Sequence, residues 1–294
     1  MRRVDWMISG YGVFVAAIAL TRLEFAGTPL SVLGHLALPL LAVLAAHAPP
    51  TRTGRFLKAY YPVILLTGLY SAIDVLNRFG TTHVWDAPIQ QLEAMLFGGQ
   101  PARDWWRAAP SAFWSTILHS VYFSYYLIVP LPLIVFAATR RNVARERYVD
   151  GLIATFLLCY VCYLLFPVAG PYYEFARPEG AFVSNGPAHL VYAILERGSA
   201  YGGAFPSSHV AATVAATVGA WRGSRRLGAL LAVPTALLAI GVVYCQMHYA
   251  IDSIAGVALG LTVPFLVTAG HHDDAGTPDG RPRIITTTGN ALTA

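Results

Sequence analysis

Two histidines and an aspartate stand where apolar runs meet polar turns. His209 lies in GGAFPSSHVAATVAA, residues 202–216, directly after Pro206, Ser207 and Ser208 and ahead of a run of Ala, Val and Thr. His248 and Asp252 lie in CQMHYAIDSIAG, residues 245–256, between two further apolar runs. Their four-residue spacing brings them together on one helical turn. A carboxylate on one imidazole nitrogen fixes the tautomer and leaves the other nitrogen free to attack. A second histidine nearby is suited to act as an acid. Pro206, Ser207 and Ser208 have the form of a helix start, with a serine cap and outward N–H groups able to hold an anion. Taken singly, each of these residues also reads as an interfacial polar group without chemistry.

Whether they meet depends on the elements that carry them. The chain has 294 residues, 56% hydrophobic and 12% charged, with a net charge of +5 and a mean hydropathy of +0.53. A soluble domain carries about twice that charged fraction. Runs of about 20 apolar residues read as membrane helices, and eight are expected, near 7–21, 30–47, 59–77, 112–138, 151–168, 208–221, 228–247 and 251–269. The first is read as a retained anchor, not a cleaved leader. With the N-terminus inside, 14 of the 20 cationic residues fall in cytoplasmic segments, which fits the positive-inside rule. That bias, rather than nucleic-acid binding, accounts for the positive charge. The topology puts His209, His248 and Asp252 at one depth on the non-cytoplasmic face. One lysine against nineteen arginines fits a GC-rich bacterial gene and hence an inner membrane.

The fold class is therefore all-α, a polytopic membrane bundle with an interfacial helix and an outer catalytic loop. Residues 1–80 form N-terminal membrane helices, 81–270 the membrane domain with the chemistry, and 271–294 a polar, disordered cytoplasmic tail. Within 78–111, Trp85, Ile89, Leu92 and Leu96 recur at helical spacing, so a helix lies in the interface, with Trp105 and Trp106 at headgroup level. Segment 169–206 is a long outer loop ending at the His209 motif. Cys159, Cys162 and Cys245 read as structural, with neither a disulfide framework nor a metal site expected.

GAFPSSH and HYAID…G resemble the second and third signature motifs of the type 2 phosphatidic acid phosphatase superfamily, over roughly residues 85–270. The resemblance implies His248 as nucleophile on phosphorus, Asp252 as its orienting partner, His209 as general acid and Ser207 as a phosphate contact, with no metal or other cofactor. Two positions depart from the usual phosphatase pattern. Val242 stands where an Arg precedes the nucleophile, and Gly170 stands where a Lys precedes Arg177-Pro178. Ser208 fills a place that is glycine in the usual motif. The changes, together with LEAMLFGGQP and HSVYFSYYLIVP, resemble the inositol phosphorylceramide synthase and inositolphosphotransferase-like branch, which also contains sphingomyelin synthases.

With two clamping cations missing, Arg177, Tyr172 and Tyr173 of GPYYEFARP are the candidates to meet the phosphate, with Ser208 beside Ser207. His119, two turns into its helix, either lines the site or bonds a neighbour. Asp74 is expected to pair with Arg78, and His35 to bond locally. The tyrosines of YFSYY read as interhelical packing, and His271, His272, Asp273 and Asp274 as tail residues. The partners implied are the bilayer, a lipid phosphate or phosphodiester substrate, and a lipid or polyol acceptor; the oligomeric state is open. A hydroxyl acceptor gives a lipid phosphotransferase, water gives a phosphatase acting on phosphatidic acid or a polyprenyl phosphate, and a third reading is a non-catalytic transporter or scaffold.

Overall fold

The computed structural model describes residues 1–78 and 82–269. The tail expected from 271 onward lies outside them. Fifteen α-helices are present among the described residues, with no strand and a single isolated bridge between Val168 and Gly203. In chain order they are α1 (Arg3–Leu20), α2 (Thr28–Leu36), α3 (Leu38–Ala46), α4 (Arg52–Asn77), α5 (Asp86–Phe97), α6 (Pro101–Ala108), α7 (Ala112–Phe123), α8 (Tyr125–Ile128), α9 (Pro130–Ala138), α10 (Asn142–Leu165), α11 (Pro171–Glu174), α12 (Gly186–Gly198), α13 (Ser208–Gly223), α14 (Arg225–Tyr244) and α15 (Ala250–Thr268).

Seven stretches are long and apolar enough to cross a membrane: α1, α2–α3, α4, α7–α9, α10, α14 and α15. The architecture is the expected polytopic all-α bundle. The difference from eight lies in α13. At 16 residues it rises about 24 Å, short of the ~30 Å hydrocarbon core. It packs against α10, α14 and α15, and seven consecutive residues, Val210–Ala216, are buried. Its Ala, Val and Thr side chains suit this helix-lined slot, because small residues let neighbouring backbones approach closely.

Gly256 and Gly260 make that approach possible. A Cβ on Gly256 would lie 2.7 Å from the Ser207 carbonyl oxygen, and one on Gly260 would lie 2.5 Å from that of Ala211. These glycines press the start of α15 onto the start of α13. The central helix is α10, buried along most of its length and packed on α1, α4, α9, α13 and α15.

The expected interfacial helix is two helices. α5 ends at Gly98, which has φ +73°, and α6 restarts at Pro101, where a missing N–H is harmless. Trp105 is exposed, as the headgroup reading requires, whereas Trp106 is buried and stacks on Phe182. The outer loop is also more ordered than a loop. It contains α11, a 3₁₀ turn at Gly180–Phe182, and the 13-residue α12, capped by Asn185 Oδ1 accepting from the Ala188 N–H at 2.9 Å.

Candidate active site

The chain from Pro167 to Gly170 lies against the chain from Ala200 to Ala204. Val168 N–H donates to the Gly202 carbonyl at 3.1 Å, and Ala204 N–H donates to the Val168 carbonyl at 2.9 Å. Asn77, the last residue of α4, clamps the pair by donating from Nδ2 to the carbonyls of Tyr163 (3.0 Å) and Tyr201 (3.2 Å). The Asp74 carboxylate accepts the Tyr201 N–H at 3.0 Å. Asp74, at the end of α4, thus also holds the outer loop, a contact the sequence did not show. His35 bonds locally, as expected, through Nδ1 and the Ser31 carbonyl at 2.8 Å.

On this platform α13 begins. Ser207 Oγ caps it by accepting from the Val210 N–H at 3.4 Å, and the Ser207 N–H donates to the Asp252 carbonyl at 3.0 Å. Tyr163, fully buried near the end of α10, donates its hydroxyl to the Pro206 carbonyl (2.9 Å) and accepts the Ser208 N–H (3.0 Å). The N–H groups of Ser207, Ser208 and Val210 thus have acceptors within the protein. The helix start is more self-contained than an open anion cradle, and Ser207 is fully buried.

His209 and His248 come together with ring centroids 6.1 Å apart. His248 Nδ1 lies 3.4 Å from Asp252 Oδ2, which also accepts the Tyr249 N–H at 2.9 Å. Asp252 is fully buried, and its Oδ1 has no partner. Burial lowers the His248 pKa to about 4, against a smaller raising contribution from the Ala204 backbone. Its imidazole is therefore neutral at ordinary pH. With Nδ1 turned to Asp252, Nε2 is the nitrogen left for other work. His209 Nε2 sits 3.2 Å from the Tyr122 hydroxyl, and the Tyr125 ring packs 4.6 Å away. The YFSYY tyrosines do pack between helices, but two of them line His209.

A layer behind this pair comes from α5. Asp86 is buried and accepts three hydrogen bonds: Ala169 N–H (2.8 Å), Gly170 N–H (2.8 Å) and the Tyr249 hydroxyl (3.0 Å). Gln90 Nε2 donates to the same Tyr249 hydroxyl at 2.8 Å. Glu93, fully buried, accepts the Ile251 N–H at 3.1 Å, and its Oε2 has no partner. Burial raises Glu93 to about 7, with the Asp252 charge adding to the rise and the Ile251 and Ala250 N–H groups opposing it. One face of α5 thus braces the 169–170 loop and the Tyr249–Ile251 turn.

The other expected site residues gather in an adjoining cluster. His119 is fully buried, with Nδ1 2.8 Å from the Ser115 carbonyl and 3.6 Å from Cys245 Sγ, and its Nε2 has no partner. Its ring packs on Tyr192 and Phe182. Tyr172 packs on Tyr192 and lies under the Arg177 guanidinium at 4.3 Å. Arg177 also pairs with Glu196 at 3.2 Å, and its side chain is 52% exposed. Tyr173 packs on Tyr201. A cation unforeseen in the sequence, Arg107 of α6, donates to Gln246 Oε1 (3.0 Å) and the Ala176 carbonyl (2.7 Å). Gln246, two residues before His248, also receives the Trp106 Nε1–H at 2.9 Å.

The described residues form a multi-pass helical bundle that brings a buried His–Asp pair beside a second histidine. The chain belongs to the PAP2 superfamily, whose family model matches residues 89–265. It is thus a protein of the lipid phosphate phosphatase and phosphotransferase type. Comparison with curated proteins and with solved structures gives no match.

Proposed function

We propose that this chain is a lipid phosphotransferase that moves a phosphate-containing headgroup through a covalent intermediate on His248. The observation that carries the reading is the pairing of His248 with Asp252 opposite His209, with the two rings 6.1 Å apart, a gap one phosphoryl group can bridge. In the first half, the His248 Nε2 lone pair forms a bond to phosphorus. The bond from phosphorus to the leaving oxygen breaks, and His209, entering as the imidazolium that the phosphate's negative charge favours, donates its proton to that oxygen and is left neutral. Asp252 accepts from His248 Nδ1–H and stabilises the charge that develops on the ring. In the second half, an acceptor hydroxyl attacks phosphorus, the N–P bond breaks, and the hydroxyl proton passes to His209.

Charge supports a diester substrate and hence transfer. A phosphomonoester carries close to two negative charges near neutral pH, whereas a phosphodiester carries one. Gly170 and Val242 place no cation at the two positions that carry one in the usual phosphatase pattern. Hydrolysis is the second reading, favoured by the incomplete burial of His209. On this reading the site lies on the non-cytoplasmic face of a cell membrane, and the partners are the lipid donor and a lipid or polyol acceptor.

The test is a product assay on purified protein with labelled phosphatidic acid, a polyprenyl phosphate and phosphatidylinositol, each with and without ceramide or diacylglycerol. Acceptor-dependent appearance of a new phospholipid supports transfer, and release of free phosphate or headgroup independent of acceptor establishes hydrolysis. Full activity in His248→Ala would remove the mechanism in either form.

A further inference from the structure

A second polar centre lies at the other end of the bundle. A cavity of about 340 Å³ is lined by Arg2, Arg3, Arg55, Lys58 and Arg145, with Glu146 and Asp150 as the acids and Ala59 and Val149 as apolar wall. Five cations against two acids leave a net charge of +3 on the lining. From Arg145 to Tyr163, α10 rises about 27 Å, so the cavity is separated from the His209 site by nearly the length of the helix.

The positions of these cations are electrostatically unfavourable in the absence of an anion. Arg2 caps α1 and Arg3 begins it, Arg55 and Lys58 lie in the first two turns of α4, and Arg145 lies in the first turn of α10. A helix N-terminus carries partial positive charge and disfavours cations. Here three such ends converge and add to the charge of five side chains. Part of the protein's response is visible, since Arg2 pairs with Asp5 at 3.0 Å. Arg2 also lies over the Tyr61 ring at 5.8 Å, while Arg3, Lys58 and Arg55 bond to carbonyls, which orient cations without neutralising them. Arg3 reaches the carbonyls of Val267 (2.6 Å) and Ala269 (3.2 Å), Lys58 that of Ala46 (3.3 Å), and Arg55 that of Pro50. Arg2 Nε is buried and has no partner.

We propose that this cavity binds the phosphate-bearing headgroup of an anionic membrane lipid. The volume is at the lower end for a small-ligand pocket, enough for a headgroup and not for a whole lipid. Because α1, α4 and α10 are spans, their ends lie at the membrane surface, where a headgroup is delivered by a lipid whose chains run along the helices. Basic pockets between membrane helices recognise such headgroups. A second basic cavity, lined by Arg141, Arg147 and Arg222, is a weaker candidate. There Arg141 bonds the Gly223 carbonyl, and Arg222 is tied to Pro264 and Thr268 at 3.3 and 2.6 Å.

The experiment is a titration of the full-length, delipidated protein in detergent, read by native mass spectrometry. Its arms are phosphatidylglycerol, phosphatidylcholine, glycerol 3-phosphate and inorganic phosphate. Phosphatidylglycerol should bind at least about tenfold tighter than phosphatidylcholine, with a preference that shrinks as salt rises. The triple variant Arg55→Gln/Lys58→Gln/Arg145→Gln should lose about 100-fold in phosphatidylglycerol affinity, at roughly fivefold per cation. Arg225→Gln/Arg226→Gln, outside the cavity, should lose little. Equal binding of the two lipids by the wild type, a measurement that needs no variant, would overturn the proposal. So would a triple variant that keeps its preference. Competition by inorganic phosphate or glycerol 3-phosphate at the lipid's own concentrations would assign the cavity to a soluble anion and overturn the lipid claim.

Discussion

Asp86 is the residue on which the bracing of the catalytic turn can be tested most sharply. All three of its partners are donors: Gly170 N–H and the Tyr249 hydroxyl on Oδ1, and Ala169 N–H on Oδ2. In Asp86→Asn the remaining carbonyl can keep Oδ1's two partners, but the amide NH₂ then faces the Ala169 N–H. One charge-assisted hydrogen bond is lost, worth about 1.5–3 kcal/mol, and a buried N–H is left without an acceptor. The other two bonds weaken as the charge disappears. The sum is about 3 kcal/mol of local stability, read as a fall of several degrees in the thermal midpoint of detergent-purified protein. The larger effect should be on turnover. Asp86 fixes both the Gly170 loop and Tyr249, the neighbour of His248, and a displacement of about 1 Å at a reacting group costs roughly 100-fold. The expected result is a fall in kcat of about 30- to 100-fold with KM little changed. Tyr249→Phe removes only one of the three bonds and should lose less. The double variant should lose less than the sum of the two, because both changes act on one network. An Asp86→Asn protein with wild-type midpoint and wild-type kcat would refute the claim that α5 positions the site.

Four further expectations follow from the same geometry. His209→Ala should depress turnover most for substrates with poorly acidic leaving groups and least for a nitrophenyl ester; an equal loss for both would remove its role as acid. Glu93 is raised by burial from its ordinary 4.5 to about 7, so its stabilising contribution is full below about pH 4.5 and is lost as pH rises towards 7. Glu93→Gln, neutral throughout, should therefore show a smaller drop in thermal midpoint between pH 5 and pH 8 than the wild type, and an unchanged drop would contradict this. Tyr163→Phe leaves the Ser208 N–H without an acceptor inside the bundle, and a loss of about 1–3 kcal/mol is expected, visible as a lower midpoint and lower kcat. Gly260→Leu drives a side chain into the Ala211 carbonyl and Val214, so it should separate α15 from α13 and abolish turnover even if the protein still reaches the membrane; near-normal activity would show that the close crossing is dispensable.

His209, His248 and Asp252 were legible in the sequence because each sits where an apolar run changes to polar residues, and the alternation of spans places those changes at one level. What remained hidden depends on contacts across long stretches of chain. Asp86 meets residues 83, 84 and 163 positions away, and no local rule couples them. A partial signal did exist. Asp86, Gln90 and Glu93 are spaced four and three apart, so they share a helix face with the apolar Ile89, and polar groups on a buried face need partners. Tyr122 was masked for a different reason. An aromatic at helical spacing is ordinary packing until a histidine is found opposite it. The run carrying α13 is already short in the sequence, at 208–221, and reads as a span because its composition is apolar, although the observed Ser208–Gly223 is too short to cross alone.

The two missing cations are best understood through packing. Gly170 has φ +94°, a conformation that favours glycine, and a Cβ there would lie 2.8 Å from the Ala204 Cβ. The same residue offers its N–H to Asp86, so the loop at this position is built around a bare backbone. Val242 is fully buried in the apolar cluster that includes Leu118, Val210 and Leu238. Its carbonyl accepts the N–H groups of Met247 (2.8 Å) and His248 (3.0 Å). A side chain at position 170 would meet Ala204, and a cation at position 242 would be buried in an apolar cluster, so neither place takes a lysine or arginine without local rearrangement. The loss of the cations and the bracing from α5 are therefore two aspects of one arrangement. The buried carboxylates of Asp86 and Glu93 hold the loops from behind, and they do so without opposing cations at positions 170 and 242. With less positive charge at these two positions, such a site suits the singly charged diester of the proposed reaction better than a doubly charged monoester, and the product assay decides whether water or a hydroxyl then takes the group.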